Sequence, residues 1–539
     1  MKKTLVLASV TLAGGAIIAG QLSADARGIS GLSDGATPST VSGTAVQPGA
    51  GTGGLDVQPI GGGVGPDVIL GGIPSIVQWG ANLTNTIVAY SFATTSCNVG
   101  TTQLLWQQTP DSDHPVIGQS LYRMHGGRME QIGQAWLKHS FCALQQGLCG
   151  ACGGGGGCQS VLHPGCSDPY TASRNGFQPG LGPKQHVNAA TGVFSASPSF
   201  VTPAAIPGDN NNVHGRLQAA KADLYNVNYP GARYFIEGSY TANDDAAAGN
   251  NRNNTSWREL AFAQPTPAQF PTWTFPPSLL STGAAQIGGT NREQTVLRAW
   301  REFDSGTAGP APSQSTTIRD IDVPGEGRFH LGYKVTNNGD GTWTYEYALQ
   351  NVNSDRSAQS FSVPNGDGVV LSNFGFHDVF YHWHFNPVAG QPAVPQYSGV
   401  DWPVSTAGGN VSWSTETFAV NPNANAIRWG TTYNFRFTAS TPPQVVTATI
   451  GLFKPGAPNS VTVSTHGPAN GTPCPADLNG DGVVDGLDLG TLLAQWSGLP
   501  GSPVCPCSAD LDGNGVVDGL DLGQLLADWS IPAGSPGCQ

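Results

Sequence analysis

The chain has 539 residues, only 11% of them charged, and a formal net charge of -13. Against roughly a quarter charged in an average soluble domain, and with 74 glycines and 41 prolines, this argues against a mainly helical protein and for a turn-rich β one. Binding a phosphate backbone needs clustered Lys and Arg; there is no such cluster, so no nucleic acid is expected as a partner and a cation is.

Lys2 and Lys3, an uncharged run from Thr4 to Gly20 and the small-residue site Ala24-Asp25-Ala26 read as an export signal over 1–26. No later run approaches the roughly 18 apolar residues of a membrane helix. The expectation is a secreted protein, extracellular or at the cell surface, with no membrane span. Residues 27–66, rich in Gly, Ser, Thr, Ala and Pro, predict a disordered linker. A body over 67–465 is long enough for one domain or two. A short linker at 466–473 then leads to a tail at 474–538.

The body shows mostly period-2 patterning. In His330 to Asn351, Leu331, Tyr333 and Val335 alternate with polar residues, Asn337-Asn338-Gly339-Asp340-Gly341 supplies a turn, and Trp343, Tyr345, Tyr347 and Leu349 alternate again. This predicts a β-hairpin with an aromatic core face. Further strands are predicted at Ile87–Phe92, Ala232–Tyr240, Val369–Phe374, Asp378–Phe385, Thr432–Thr438 and Val445–Leu452. Together they predict a mainly β body of antiparallel, sandwich-like architecture. One segment differs: Ile132, Trp136, Leu137, Phe141 and Leu144 recur at helical spacing, predicting one amphipathic helix over Met129–Gln146.

Ten cysteines in an exported chain read as disulfides. Six lie in the body, at Cys97, Cys142, Cys149, Cys152, Cys158 and Cys166, and their pairing is left open. Cys149-x-x-Cys152 is also a metal or redox spacing, which the oxidising setting makes the weaker reading. Four lie in the tail, at Cys474, Cys505, Cys507 and Cys538. Bridges within each repeat, 474 to 505 and 507 to 538, are favoured over a strained 505–507 bond.

Candidate chemistry in the body is sparse. His382 and His384, preceded by His377 and Asp378, are a conceivable metal site, although structural histidines on an aromatic strand are the favoured reading. Glycosidic hydrolysis needs two carboxyls about 5 to 9.5 Å apart. Glu237, Asp244, Asp245, Glu259, Glu302 and Asp378 are available, Asp244-Asp245 reading more simply as a polar loop, and no spacing selects a pair. No catalytic residue is assigned, and whether the body is an enzyme stays open. A binding or structural body is favoured, with a polysaccharide-degrading glycosidase as the alternative.

The tail is an internal duplication. Asp477 to Asp510, Asp488 to Asp521 and Trp496 to Trp529 are each 33 positions apart. Nine aspartates and no Lys or Arg lie between Cys474 and Gln539. Calcium takes about six to eight hard oxygens, and a loop can supply them at positions 1, 3, 5, 7, 9 and 12 with glycine at 6 for the turn. The first copy offers Asp477, Asn479, Asp481, the Val483 carbonyl, Asp485 and Asp488. The second offers Asp510, Asp512, Asn514, the Val516 carbonyl, Asp518 and Asp521. Two Ca²⁺ ions are expected. After each loop, Leu489, Leu492, Leu493 and Trp496, and then Leu522, Leu525, Leu526 and Trp529, share a helical face. A small α domain of two loop-helix units packed face to face would bury both.

Paired calcium loops with Asp at position 12, each followed by a Leu-rich helix and with Pro475 and Pro506 just ahead, resemble the type I dockerin family. The resemblance implies binding to a cohesin-type protein domain, assembly onto a scaffold or cell surface, and possible involvement in polysaccharide catabolism with carbohydrate as a ligand. Dockerins usually select their cohesin with polar residues at loop positions 10 and 11. Here those positions are Gly486-Leu487 and Gly519-Leu520. The body resembles an uncharacterised family of secreted bacterial, dockerin-tailed proteins, through His139 to Cys149, Gly165 to Tyr170, Asn353 to Ser357 and Arg428-Trp429-Gly430. That second resemblance implies no activity.

Overall fold

The computed structural model of the chain describes residues 62–108, 111–139, 141–194, 212–260, 286–304, 316–366, 368–381, 396–469, 475–479, 484–497 and 508–529. The expected export signal lies outside these residues, as do most of the expected linker at 27–66, His382, His384 and the four tail cysteines. Among the described residues the body is mainly β, and its named sheet pairings are antiparallel.

The N-terminal part is built on one long sheet. Its strands run, in spatial order, Gln286–Asn291, Thr255–Leu260, Arg233–Thr241, Val116–His125, Arg128–Gln134, Leu217–Ala220, Ile87–Phe92 and Ile76–Ala81. A smaller sheet of Val68–Gly72, Thr94–Asn98 and Ser167–Tyr170 packs on it. The shared core includes the fully buried Leu70, Tyr90, Phe92, Leu121 and Ile236.

The helix predicted over Met129–Gln146 is replaced by the strands Arg128–Gln134, Leu137–His139 and Ala143–Leu144. Met129, Glu130, Gln131, Ile132 and Gln134 are all buried. A strand covered on both faces loses its polar-apolar alternation, so the spacing of the remaining large apolar residues misled. Gly133 fits this arrangement, because a Cβ there would collide with the carbonyl of Gln218 on the adjoining strand. The helix that packs on a sheet is instead Leu297–Phe303, which sets Leu297, Trp300 and Phe303 against Tyr122, Phe235 and Trp257.

The C-terminal part is a sandwich of two five-stranded sheets. One runs Thr316–Asp322, Arg328–Asn337, Trp343–Asn351, Thr431–Ala439 and Leu371–His377. The other runs Val404–Ser405, Asn410–Ser414, Ala358–Pro364, Pro443–Leu452 and Ser460–Pro468. The predicted hairpin is present, with Asn337 opposite Trp343 and the turn carried by Gly339 and Gly341 at φ 81° and 86°, which only glycine adopts freely. Tyr345, Tyr347 and Leu349 point into the sandwich with Phe361, Trp413 and Phe435. Ring centroids of Phe361 and Phe435 lie 4.9 Å apart, stacked. The other predicted strands are found to within a few residues, except Asp378–Phe385: its described part, 378–381, is not a strand.

The Trp343–Asn351 strand is buried on both faces. Its second face, Glu346, Ala348 and Gln350, meets the N-terminal part. Gln350 Nε2 donates to Glu237 Oε1 at 2.8 Å, Val296 N donates to Glu237 Oε2 at 2.7 Å, and the Tyr122 hydroxyl contacts Thr432 Oγ1 at 3.0 Å. Nearby, Gly430 O accepts from Gln131 Nε2 and from Lys184 Nζ, both at 3.2 Å. The stretch Arg428-Trp429-Gly430 is thus a joint between the two parts of the body.

Candidate metal centre

Each tail copy places an acidic loop directly before a nine-residue helix, Gly486–Ala494 and Gly519–Ala527. Asp485 and Asp518 cap these helices. Asp485 Oδ1 accepts from Leu487 N and Asp518 Oδ1 from Leu520 N, each at 2.8 Å. Three residues on, Asp488 and Asp521 reach back to the cap nitrogens at 2.8 Å, closing a capping box in each copy. Both aspartates are fully buried. Their other oxygens accept two loop amides each: Leu478 and Asn479 at 2.8 and 3.1 Å, Leu511 and Asp512 at 2.7 and 3.2 Å. The position-12 carboxylate therefore ties the loop's beginning to the helix's first turn.

The second loop is described in full. Carboxylate oxygens of Asp510, Asp512 and Asp521 all lie within 4.8 Å of one another. Gly515, at φ 88°, makes the turn and donates its N–H to Asp510 Oδ2 at 2.8 Å. Asp510 Oδ1 is buried and accepts no hydrogen bond among the described residues. Three carboxylates held this close repel one another, and a buried carboxylate oxygen without a donor is costly. A hard cation answers both, and oxygen-only donors suit Ca²⁺. Asn514 Oδ1 accepts from Val516 N at 2.8 Å, which shapes the same loop. In the first loop Asp477, Asn479, Asp485 and Asp488 are described, whereas Asp481 and Val483 lie outside the described residues.

The helices do not bury their whole apolar face. Leu492 and Leu525 are fully buried with Ala476, Val484, Ala509 and Val517, and Leu489 and Leu522 pack against that small core. The copies are also stitched by backbone: Ser497 N donates to Val517 O at 2.9 Å and Val517 N to Ser497 Oγ at 2.8 Å. Leu493, Trp496, Leu526 and Trp529 remain 52%, 41%, 51% and 38% exposed, contrary to the expectation that pairing would cover them. The core formed by two nine-residue helices takes one leucine fully and one partly from each. Leu487 and Leu520, at loop position 11, are more exposed still, at 65% and 66%.

Residues 475–527 match the family model of the dockerin type I domain. The tail is a type I dockerin-like module. Calcium is the cation such domains bind, in agreement with the oxygen-only donor set. No curated protein matches the chain. Among solved structures, the exo-beta-D-glucosaminidase CsxA, inhibited by a glucosamine-configured castanospermine and an amino-australine analogue, is 10% identical with a TM-score of 0.13. The likeness covers 70% of this chain and 25% of that one, so the chain spans about a quarter of that enzyme's length. A likeness of that degree carries no argument about the body.

The body's six cysteines are all bonded, as Cys97–Cys149, Cys142–Cys158 and Cys152–Cys166. Cys149 and Cys152 thus have separate partners rather than forming a redox pair. His377 Nε2 lies 3.0 Å from the Gln131 carbonyl, and Asp378 accepts from Asn425 Nδ2, so neither faces a metal cluster among the described residues. Of the carboxyls considered for hydrolysis, Glu237, Asp244, Asp245, Glu259 and Asp378 have structural partners. Arg233 clamps Glu259 at 2.7 and 2.9 Å, Leu105 N donates to Asp244, and Val68 N and Asn254 Nδ2 donate to Asp245. Asp245 is fully buried within the helix Asn243–Ala248, not in a polar loop, and burial pushes its carboxyl up to about 8. Burial likewise lifts Glu237 to about 7. Two features went unread in the sequence. The Asp-x-x-Asp spacing of each copy, taken as ligands alone, also carries the capping box. Glu346, set between Tyr345 and Tyr347 on the hairpin, is 7% exposed.

Proposed function

We propose that the chain is a secreted protein that docks through its tail onto a cohesin-type domain in a calcium-dependent manner, with one Ca²⁺ in each loop. The observation that supports this most directly is the cluster of Asp510, Asp512 and Asp521 with its unpartnered Asp510 oxygen, in a module matching the dockerin type I model. The three disulfides fit an oxidising compartment, and no helix of the described residues is long and apolar enough to cross a membrane.

Partner selection lies with Leu487 and Leu520. Dockerin recognition at these positions is ordinarily polar; here two leucines, equivalent by duplication and about two-thirds exposed, present an apolar contact. The matching cohesin surface is correspondingly apolar. The body acts as a binding or structural partner of the scaffold, a reading supported by the structural engagement of the candidate carboxyls.

Equilibrium dialysis of the full chain against ⁴⁵Ca²⁺ should give two ions per chain, and binding to a panel of immobilised cohesins should vanish in EDTA. Leu487→Asp with Leu520→Asp should abolish docking while leaving calcium stoichiometry at two. Docking that survives EDTA, or calcium binding below one ion per chain, would overturn the proposal.

A further inference from the structure

The body holds a polar cavity of about 230 Å³ where the Val116–His125 and Arg128–Gln134 hairpin faces the outer side of the sandwich. Its wall on the hairpin side is an ion-pair network. Arg123 donates to Glu130 at 2.7 Å and to Asp223 at 2.9 Å, and its guanidinium lies 3.4 Å from the Tyr229 ring centroid. Arg128 Nε is 3.2 Å from Glu130, and its Nη1 is 3.7 Å from Glu346 Oε1. This wall is rigid because Arg123 is only 3% exposed and anchored on three sides.

The opposite wall is unfinished. Glu346 and Arg436 stand directly opposite each other on adjacent strands, in the register Glu346↔Arg436. Glu346 Oε2 is buried and accepts no hydrogen bond, and Arg436 makes no hydrogen bond or ion pair among the described residues. Gly375 makes room for Arg436, since a Cβ at that position would collide with the arginine's side chain. A guanidinium that is half-buried and has no partner among the described residues, beside a carboxyl oxygen likewise without one, is an arrangement that a ligand completes.

The charges restrict the ligand. Three guanidiniums, of Arg123, Arg128 and Arg436, line the cavity with His377 and the Glu130 and Asp223 carboxylates. Burial holds Glu346 largely as the neutral acid, pushing it up to about 8 against the opposing pull of Arg128. Against burial, His377 and Arg123 keep Glu130 below the usual carboxylate range. With His377 neutral the surplus is one positive charge, which matches a single carboxylate better than a doubly charged phosphate. Arg binds a carboxylate through two parallel N–H donors, and a neutral carboxylic acid both donates to and accepts from a hydroxyl.

We propose that this cavity binds a small hydroxylated monocarboxylate of the uronic-acid class, its carboxylate on Arg436 and an adjacent hydroxyl on Glu346. The inference is independent of the docking reading, because no residue of the tail enters it.

Isothermal titration of the full, calcium-loaded chain with sodium D-galacturonate and sodium D-glucuronate tests it, with D-galactose, D-glucose and inorganic phosphate as controls. Saturable binding is expected for at least one uronate and for none of the controls. Arg436→Gln should weaken that binding at least tenfold with the body's thermal transition in place; should that variant not fold, Arg436→Lys, which keeps the charge but not the two-pronged donor, should show a smaller loss. The proposal is overturned if neither uronate binds, if a neutral sugar or phosphate binds as tightly, or if the folded Arg436 variant binds like the wild type.

Discussion

The body and the tail use the same acidic side chains in opposite ways. In the body, Glu237, Asp245 and Glu346 are sunk among aromatic and aliphatic neighbours, and burial raises each carboxyl to about 7 or 8. In the tail, Asp510, Asp512 and Asp521 are gathered within 4.8 Å of one another over a core of six buried residues among the described residues. The body can keep its acids because the packing around them is dense and because Glu237 and Asp245 accept hydrogen bonds, from Gln350 and Val296 and from Val68 and Asn254. The described core of the tail is small beside the repulsion of its own loops, and the proposed cation would offset that repulsion. An acid's role here is set by how much apolar surface stands behind it.

The largest expected effect breaks the tail and spares the body. EDTA should remove one calorimetric transition outright and leave the other nearly unmoved, because metal bound only by the folded form is folding free energy. Asp477→Ala with Asp510→Ala should act like the chelator, as each removes the first ligand of its loop. A tail transition that persists through both treatments would mean that the six-residue core suffices and that the contrast drawn above is wrong.

The converse experiment strikes the body. Phe435 stacks on Phe361 and lies 5.3 Å from the Trp413 ring centroid and 5.6 Å from that of Trp402. Phe435→Ala should cost about 3–5 kcal/mol of body stability through lost burial and the cavity left behind. Differential scanning calorimetry should show the body's transition lowered and the calcium-dependent one unchanged. A shift in both would show that the two regions do not unfold independently.

What the sequence disclosed follows the same division. The tail's duplicated acidic loops were legible because the repeat recurs 33 positions apart, and the hairpin was legible because Tyr345, Tyr347 and Leu349 alternate with polar residues. The strand at Arg128–Gln134 was illegible because both its faces are buried, so Met129, Glu130, Gln131 and Ile132 show no alternation to read. Glu346 and Arg436 were missed for a related reason: they come from strands about 90 residues apart in sequence, and nothing local marks a strand whose polar face meets another part of the chain. Likewise the exposure of Leu493 and Leu526 depends on how much of each helix the partner helix can cover, which periodicity does not contain.

The smallest effect, and the one that sharpens the contrast most, is the response to pH. Glu346 titrates near 8 in the folded body and near 4.5 when unfolded, so the native state holds the proton more tightly. Its contribution to stability is therefore complete below about pH 4.5 and is lost as the pH rises through about 8. The tail has the opposite sign, since calcium ligands must be deprotonated and binding weakens as the pH falls. Glu346→Gln keeps the neutral shape and removes the proton. The stability difference between wild type and variant should change by up to about 1.4 kcal/mol per pH unit inside that window and level off outside it. Urea melts of the body at several pH values between 4 and 9 would measure this difference, with calcium affinity recorded in parallel. If the difference is flat across the window, burial does not hold Glu346 as the acid, and the charge balance argued for the cavity beside Arg436 loses its support. If it slopes while calcium affinity moves the other way, one chain carries two sets of carboxyls tuned in opposite directions by the apolar surface around them.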